Sequence, residues 1–283
     1  MRLGAIAENL IEWLVLKSNV APEPLLETQM AFSMARSIMT GVKLGLFEAA
    51  SDGARSAADI AKTCATHPGA TEKLLNTLTG CGYFRFRNGA YALTPKARKW
   101  LLRRSPQNLC DKFLFQFYEW DMVEGYEAFV RTGKPMAGHE GMQGDEYWNI
   151  YQRGMRNLAG LAAGEVADRF PMPAGARDLL DLGGSHGYYS VSLCRRHPDL
   201  KAVILDLPEA VQHAAPILAA EKMGDRVAHR TGNALTDELG EGSVDIVFMS
   251  QLVHHFTDAQ NRALMQKIAR ALRPGGVCVM SDS

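Results

Sequence analysis

The sequence has no excess of charge of either sign. Its 283 residues include 31 Lys and Arg against 31 Asp and Glu, so the formal net charge at pH 7 is zero. A basic surplus is what draws proteins to nucleic acids and to anionic membranes. The composition therefore predicts neither a nucleic-acid partner nor a membrane partner.

Cysteine is scarce as well. The five cysteines are an odd number, are scattered along the chain and form no C-x-x-C pair. This pattern argues against a disulfide framework and against a zinc site, so no metal site is predicted. It is typical of a protein in a reducing compartment, and we expect a cytoplasmic location.

Long hydrophobic runs are missing too. The apolar segment near the start, NLIEWLVLKSN, is interrupted by Glu12 and ends at Lys17, which predicts an amphipathic helix and neither a signal peptide nor a membrane span. The length exceeds that of a usual single domain, so two domains are expected. Gly and Pro cluster between Arg131 and Glu146, which indicates a junction.

The most informative segment present is RDLLDLGGSHGYYS, residues 177–190. A short apolar strand there leads into a turn with three glycines and then into a helix from about Tyr188 to Arg196. Glycines allow a sharp bend and let main-chain N–H groups approach a ligand. The positive N-terminal end of the helix favours an anionic group. The dinucleotide pattern G-x-G-x-x-G is not met, because Ser185 and Tyr188 stand at its glycine positions.

The following segments predict a parallel sheet. KAVILDLPEAV is a strand that ends at Asp206, roughly 20 residues after the turn, where nucleotide-binding units carry a ribose-binding acid. RVAHRTGNAL places Asn233 at the end of a third strand, close to an adenine ring. Two further strands follow in SVDIVFMSQLVHHF and RPGGVCVMSD, and helical patterns separate the strands. This alternation predicts an α/β fold with helices on both faces of the sheet.

The order of five motifs, DLGGSHG, DLPEAV, TGNAL, MSQLVHHFTD and LRPGG, resembles the class I S-adenosylmethionine (SAM)-dependent O-methyltransferases of the plant caffeate and bacterial polyketide type. The resemblance covers nearly the whole chain. It implies a winged-helix dimerisation domain at 1–105, linker helices roofing the acceptor pocket at 106–170 and a Rossmann-like SAM domain at 171–283. It also implies a homodimer of secondary metabolism that methylates a hydroxyl of a small aromatic or polyketide-like molecule.

The resemblance further implies site residues. His254 matches the general base, and Asp282 matches the acid that fixes its tautomer; an imidazole titrates near neutrality and suits this role. A slip of one residue in the tandem pair would exchange His254 for His255. The implied SAM-binding residues are Asp181, Gly183, Ser185, Gly187, Asp206, Leu207, Asn233, Ala234 and Ser250.

The chain departs from the family at several of these positions. Ser185 replaces a glycine, Asn233 replaces the usual Asp near adenine, and Ser250 stands where plant members carry Lys. His255 and Phe256 stand where those members carry Asp and Trp. The family's sheet ends with a further hairpin, whereas this sequence stops at Ser283, so either the sequence is trimmed or the fold is incomplete. A missing hairpin would expose a sheet edge and one wall of the substrate pocket.

Residues 56–101 predict helix, turn, helix and β-hairpin, with Asn88-Gly89 at the tight turn. This is a winged-helix pattern, and a DNA-binding regulator would use Thr71–Thr79 as its recognition helix. That helix lacks the basic and amide side chains of a groove reader. Its Leu74, Leu75 and Leu78 form a packing face, which favours the dimerisation role.

The acceptor pocket is implied at Phe117, Trp148, Tyr151 and Met155. Aromatics at helical spacing more often belong to a core than to a binding site, but in this family these helices roof the pocket, and aromatic and thioether groups suit a flat acceptor. The alternative function keeps SAM but changes the chemistry to hydroxylation, decarboxylation or a pericyclic step, because fold does not fix function. The pair His254 and Asp282 favours methylation.

Overall fold

The computed structural model of the chain describes residues 7, 9–18, 20, 22–134 and 144–281. The chain divides into two compact units, Met1–Phe117 and Tyr118–Ser283. The division falls inside the predicted linker segment 106–170. Across the described ranges, no helix has both the length and the apolar character needed to cross a membrane.

The first unit is mostly helical. Its helices are α1 (Leu10–Lys17), α2 (Glu23–Leu25), α3 (Ala31–Lys43), α4 (Leu46–Ala49), α5 (Ala57–Cys64), α6 (Pro68–Gly80), α7 (Pro95–Trp100) and α8 (Cys110–Val123), the last of which spans the division between the units. A π-helical turn, Leu26–Met30, joins α2 to α3. The strands β1 (Phe84–Arg87) and β2 (Ala90–Leu93) form an antiparallel hairpin.

The predicted winged-helix order is confirmed by α5, α6 and this hairpin. Asn88 and Gly89 both have positive φ, 50° and 77°, as a two-residue primed turn requires. On α6, Leu75 and Leu78 are fully buried and Leu74 is partly buried against the same core. The face that a DNA-reading helix would present is therefore directed largely into the protein.

The second unit is an α/β layer structure. Its helices are α9 (Tyr126–Thr132), α10 (Asp145–Arg169), α11 (Tyr188–Arg196), α12 (Pro208–Ala220) and α13 (Asp258–Ala271). Its strands are β3 (Asp178–Leu182), β4 (Lys201–Asp206), β5 (Val227–Thr231), β6 (Val244–Ser250) and β7 (Leu272–Ser281). Within the described residues these strands form one parallel sheet in the order β5-β4-β3-β6-β7.

The central strands of the parallel sheet are apolar on both faces. Successive residues of a strand point to opposite sides, and the two sides of β3 belong to different cores. Leu179 packs with Val191 in one core, whereas Leu180 packs with Leu264 in the other. Helices thus cover both faces, which confirms the predicted Rossmann-like α/β class.

The strand order places the functional site. From β3 the chain builds outward through β4 to β5 and then returns to the other side of β3 with β6. In sheets of this kind ligands bind beyond the carboxyl ends of the strands, where the order reverses. The turn after β3 and the turn after β6 both lie at that point.

Candidate cofactor and active site

The glycine turn connects β3 to α11. Gly183, Ser185 and Gly187 have φ values of 66°, 54° and 70°, in the left-handed region. The Gly183 amide donates to the carbonyl of Leu205 at 2.8 Å, and the Gly187 amide donates to the carbonyl of Gly184 at 2.8 Å. The turn therefore folds back on β4 and directs the N-terminal end of α11 at the crevice beyond the sheet.

Close packing, in addition to the positive φ values, restricts positions 183 and 187 to glycine. A Cβ atom at Gly187 would lie 2.3 Å from Cδ1 of Ile204, and one at Gly183 would lie 2.7 Å from Cδ1 of Leu252. Both distances are far shorter than van der Waals contact. At these two positions any side chain would displace part of the buried surroundings.

We expect Gly187→Ala to lower the free energy of unfolding by about 2–4 kcal/mol, combining strain at positive φ with overpacking against Ile204. Denaturant unfolding measures this directly. Gly224→Ala is the matched control, because Gly224 has a positive φ of 56° but open space around its Cα. Gly224→Ala should lower the free energy of unfolding by only about 1 kcal/mol, because it adds backbone strain at positive φ but no overpacking. Equal losses in the two variants would refute the steric argument.

The Asp181 carboxyl lies beneath the turn and is almost completely buried. Its Oδ2 accepts a hydrogen bond from the Ser190 hydroxyl at 2.6 Å, and its Oδ1 has no partner among the described residues. Burial raises the pKa of Asp181 to about 7, the Ser190 hydrogen bond opposes this rise, and the charge of Asp206 adds to it. A cationic group beside Oδ1 would favour the ionised form.

Asp206 ends β4 and holds the turn from the other side. Its two carboxylate oxygens accept hydrogen bonds from the backbone amides of Ser185 and Leu207, both at 2.8 Å. Burial raises the pKa of this carboxyl, and the two amide bonds oppose the rise. The nearby Tyr151 phenol has its pKa raised to about 12 by burial and by the charge of Asp206, so it remains protonated.

The other predicted SAM-binding residues lie at the same edge of the sheet. Asn233 follows β5 by two residues, and its Oδ1 accepts from the Leu235 amide at 2.9 Å. The Ala234 carbonyl accepts from Lys267 Nζ at 2.8 Å. Ser250 ends β6, and its side chain forms a hydrogen bond with Tyr189. The hydrogen bond from the Ser185 amide links the glycine turn directly to Asp206. Asn233 and Ser250 lie at the ends of neighbouring strands.

The candidate bases lie on a 3₁₀ turn after β6, Val253–His255. His254 and His255 are exposed, and their ring centroids are 4.2 Å apart. Asn261 holds the turn by donating from Nδ2 to the Val253 carbonyl at 2.9 Å. The preceding Leu252 packs against Gly183, which brings this turn beside the glycine turn. Asp282, the predicted orienting acid, lies outside the described residues.

Three of the predicted pocket residues lie on one stretch of α10. The Trp148 ring meets the Tyr151 ring edge-to-face at 5.7 Å and stacks on the His213 ring at 6.4 Å. Met155 lies one turn beyond Tyr151 and is partly buried. Phe117 belongs to the first unit, where the cationic groups of Arg36 and Lys43 lie over its ring at 4.4 and 4.5 Å.

Three polar residues around the turn were not predicted. Gln152 Oε1 is hydrogen-bonded to the Ser185 hydroxyl, and His229 Nε2 is 2.7 Å from the Ser185 carbonyl. His186 Nδ1 accepts from the Tyr188 amide at 3.1 Å, and burial lowers the pKa of His186 to about 3, so its ring is neutral. The available clue was the serine at a glycine position, because its hydroxyl needs a partner.

These features fit SAM. The ribose offers two hydroxyls to Asp206, and the bare glycine backbone leaves space for the amino-acid end beside the N-terminal end of α11. The unpartnered Asp181 Oδ1 is a buried acceptor, which suits the cationic half of an amino-acid group.

Comparison with known proteins identifies a family for both parts of the chain. Residues 127–283, more than half of the chain, match the family model of the O-methyltransferase domain. Residues 26–103 match the O-methyltransferase dimerisation domain. The two matches fall on the second and the first part of the chain, in the order that the sequence motifs predicted.

Characterised relatives and solved structures extend the comparison. The chain is 27% identical to 3-hydroxy-5-methyl-1-naphthoate 3-O-methyltransferase of Streptomyces sahachiroi over 92% of this chain and 77% of that protein. It is 29% identical to the tetracenomycin polyketide synthesis 8-O-methyl transferase TcmO of Streptomyces glaucescens, over 92% and 78%. Human N-acetylserotonin methyltransferase in complex with SAM shares the fold, with a TM-score of 0.81, 17% identity and coverage of 98% and 81%. The chain therefore belongs to the family of SAM-dependent O-methyltransferases.

Proposed function

We propose that this enzyme methylates a hydroxyl group of a small aromatic or polyketide-like metabolite, with His254 as the general base. The observation that carries the proposal is the packing of Leu252 on Gly183, which sets the histidine turn beside the glycine turn. A base placed there stands next to the cofactor's reactive end. Proximity of this kind supplies much of the rate of a bimolecular transfer.

SAM supplies a methyl group already activated by its sulfonium, which leaves the protein to bind, orient and deprotonate the acceptor. Asp206 would hold the ribose hydroxyls, and Asn233 and Ala234 would lie near the adenine. A neutral His254 ring nitrogen would take the acceptor's hydroxyl proton as the oxygen attacks. Asp282 would hold the other ring nitrogen and fix the tautomer.

Two observations support the proposed class of acceptor: the substrates of the relatives and the side chains of α10. The relatives named above act on a hydroxynaphthoate and in tetracenomycin polyketide synthesis. On α10, Trp148, Tyr151 and Met155 offer flat and polarisable apolar surface. Such groups favour a planar ring system with few polar substituents.

A homodimer is the proposed assembly. The dimerisation match covers α3 to α7. Several large apolar side chains of the first unit are exposed, among them Leu10, Ile11, Trp13, Met30, Phe32 and Met34. A concentration of exposed apolar residues marks an interaction surface, and a second copy of the chain would cover it.

The activity is tested by incubating the protein with SAM and a panel of hydroxylated naphthoates and polycyclic phenols. Mass spectrometry should find an acceptor that gains one methyl group, with one S-adenosylhomocysteine formed per product. O-methyl ethers and no C- or N-methylated products are expected. Bound SAM together with a hydroxylated or decarboxylated product would replace methyl transfer with the non-methylating alternative.

A further inference from the structure

Buried polar atoms without partners point to the ligand that completes a site, because an unpaired buried donor or acceptor is costly. Among the described residues, three side-chain atoms have this property: Gln152 Nε2, Asp181 Oδ1 and Asn261 Oδ1. The first two flank the glycine turn. Gln152 is completely buried, and its Oε1 is hydrogen-bonded to the hydroxyl of Ser185 in that turn.

The two unpartnered atoms have opposite hydrogen-bonding character. The amide Nε2 of Gln152 can only donate, whereas the carboxylate Oδ1 of Asp181 accepts. An α-amino acid group carries one carboxylate and one ammonium group, so it satisfies both atoms at once. Since the cofactor ends in such a group, the pair matches its amino-acid end in both sign and number.

We propose that Gln152 is a cofactor-binding residue whose side-chain amide donates a hydrogen bond to the carboxylate of the SAM amino-acid group. The inference rests on the SAM site described above and adds a residue from α10 to it. Ser185 sets the amide's orientation, because its hydroxyl bonds to Oε1 and leaves Nε2 directed elsewhere. The serine that replaces the family's glycine would therefore serve to orient the Gln152 amide.

Both backbone polar groups of Ser185 are also engaged. Its amide donates to Asp206 at 2.8 Å, and its carbonyl lies 2.7 Å from His229 Nε2. Gln152, Ser185 and Asp206 thus form one connected set of hydrogen bonds. That set joins the predicted ribose end of the cofactor site to its predicted carboxylate end.

The nearby cation on α10 is already engaged. Arg156, one turn after Gln152, donates from Nη2 to Glu221 at 2.8 Å, and its guanidinium lies 3.2 Å from the centroid of the Tyr188 ring. Arg156 is thus paired with Glu221, which also accepts a hydrogen bond from Arg195 at 3.0 Å. The neutral amide of Gln152 remains as a buried donor for an anionic group at the turn.

The test compares SAM with decarboxylated SAM, which lacks only the carboxylate, by calorimetric titration of the full chain. Gln152→Met keeps the side chain's length and removes its donor. We expect about 10- to 100-fold weaker SAM binding, as for loss of a hydrogen bond to a charged group. The same variant should change the binding of decarboxylated SAM by less than about threefold, because that compound lacks the carboxylate that Gln152 is proposed to contact.

Three further variants complete the test. Gln152→Glu keeps an acceptor for Ser185 but presents a carboxylate, so the preference for SAM over the decarboxylated compound should invert. Gln266→Met, at an exposed position of α13, is the control and should leave both affinities unchanged. Ser185→Ala should weaken SAM binding by about 3- to 10-fold through loss of amide orientation.

Equal weakening of both compounds in Gln152→Met would show a purely structural role and overturn the proposal. Unchanged SAM binding in that variant would overturn it as well. A wild-type chain that binds neither compound would refute the cofactor site itself, a failure that is distinguishable because it does not depend on the variants.

Discussion

We expect His254→Ala to lower kcat by roughly two to four orders of magnitude while the Kd for SAM stays within about twofold of wild type. The reason is that, in the proposed mechanism, the imidazole acts on the acceptor's proton and has no role in binding SAM. Single-turnover kinetics with a methylatable phenol, together with calorimetric SAM binding, measures both quantities. The variant should keep its fold, because the His254 side chain is exposed.

His255→Ala is the matched control for this prediction. The two rings lie on the same turn with centroids 4.2 Å apart and are both exposed, so the variants differ little except in which imidazole is lost. We expect His255→Ala to reduce kcat by less than about tenfold, a loss too small for a missing general base. A large loss in His255→Ala with normal turnover in His254→Ala would transfer the role of base to His255.

The second large effect is expected for Asp206→Ala, which should weaken SAM binding by roughly two to four orders of magnitude. Two hydrogen bonds from the ribose to a charged acceptor would be lost, each contributing on the order of 1.5–3 kcal/mol. The variant also removes the acceptor of the Ser185 and Leu207 amides, which loosens the turn that the cofactor uses. Calorimetry with SAM and with S-adenosylhomocysteine should show the same loss.

Asp225→Ala is the control for Asp206→Ala, since Asp225 is an exposed acid that follows α12 in the same unit. It should bind SAM as the wild type does, which excludes a general effect of removing one negative charge. Far-ultraviolet circular dichroism separates lost binding from lost folding. Normal SAM binding by Asp206→Ala would contradict the assignment of the ribose site.

Local signals explain why much of the fold could be predicted. The Asn88-Gly89 turn is specified by two adjacent residues that tolerate positive φ. The apolar runs of β3 and β6 are long enough to mark buried parallel strands. The glycine turn and Asp206 follow from the same logic, because each lies at a fixed distance from a strand that the sequence itself reveals.

The contacts that complete the site could not be predicted, because they join distant parts of the chain. Gln152 meets Ser185 across 33 residues, and His229 meets it across 44. No spacing rule links such positions, and the pairing exists only once α10 and β5 have packed on the sheet. The local hydrogen bond from the Leu235 amide to Asn233 Oδ1 was not predicted either, because it depends on the exact turn that follows β5.

The fit of Leu252 against Gly183 and of Ile204 against Gly187 changes how such a motif should be used in classifying proteins. These glycines are required by the protein's own packing, whether or not a nucleotide is present. A relative that had lost its cofactor would still be destabilised by their replacement. A glycine-rich turn in a genome sequence therefore identifies the scaffold, whereas the roles proposed for Asp206 and Gln152 would make an acid at 206 and a donor at 152 the better markers of a working methyl donor site.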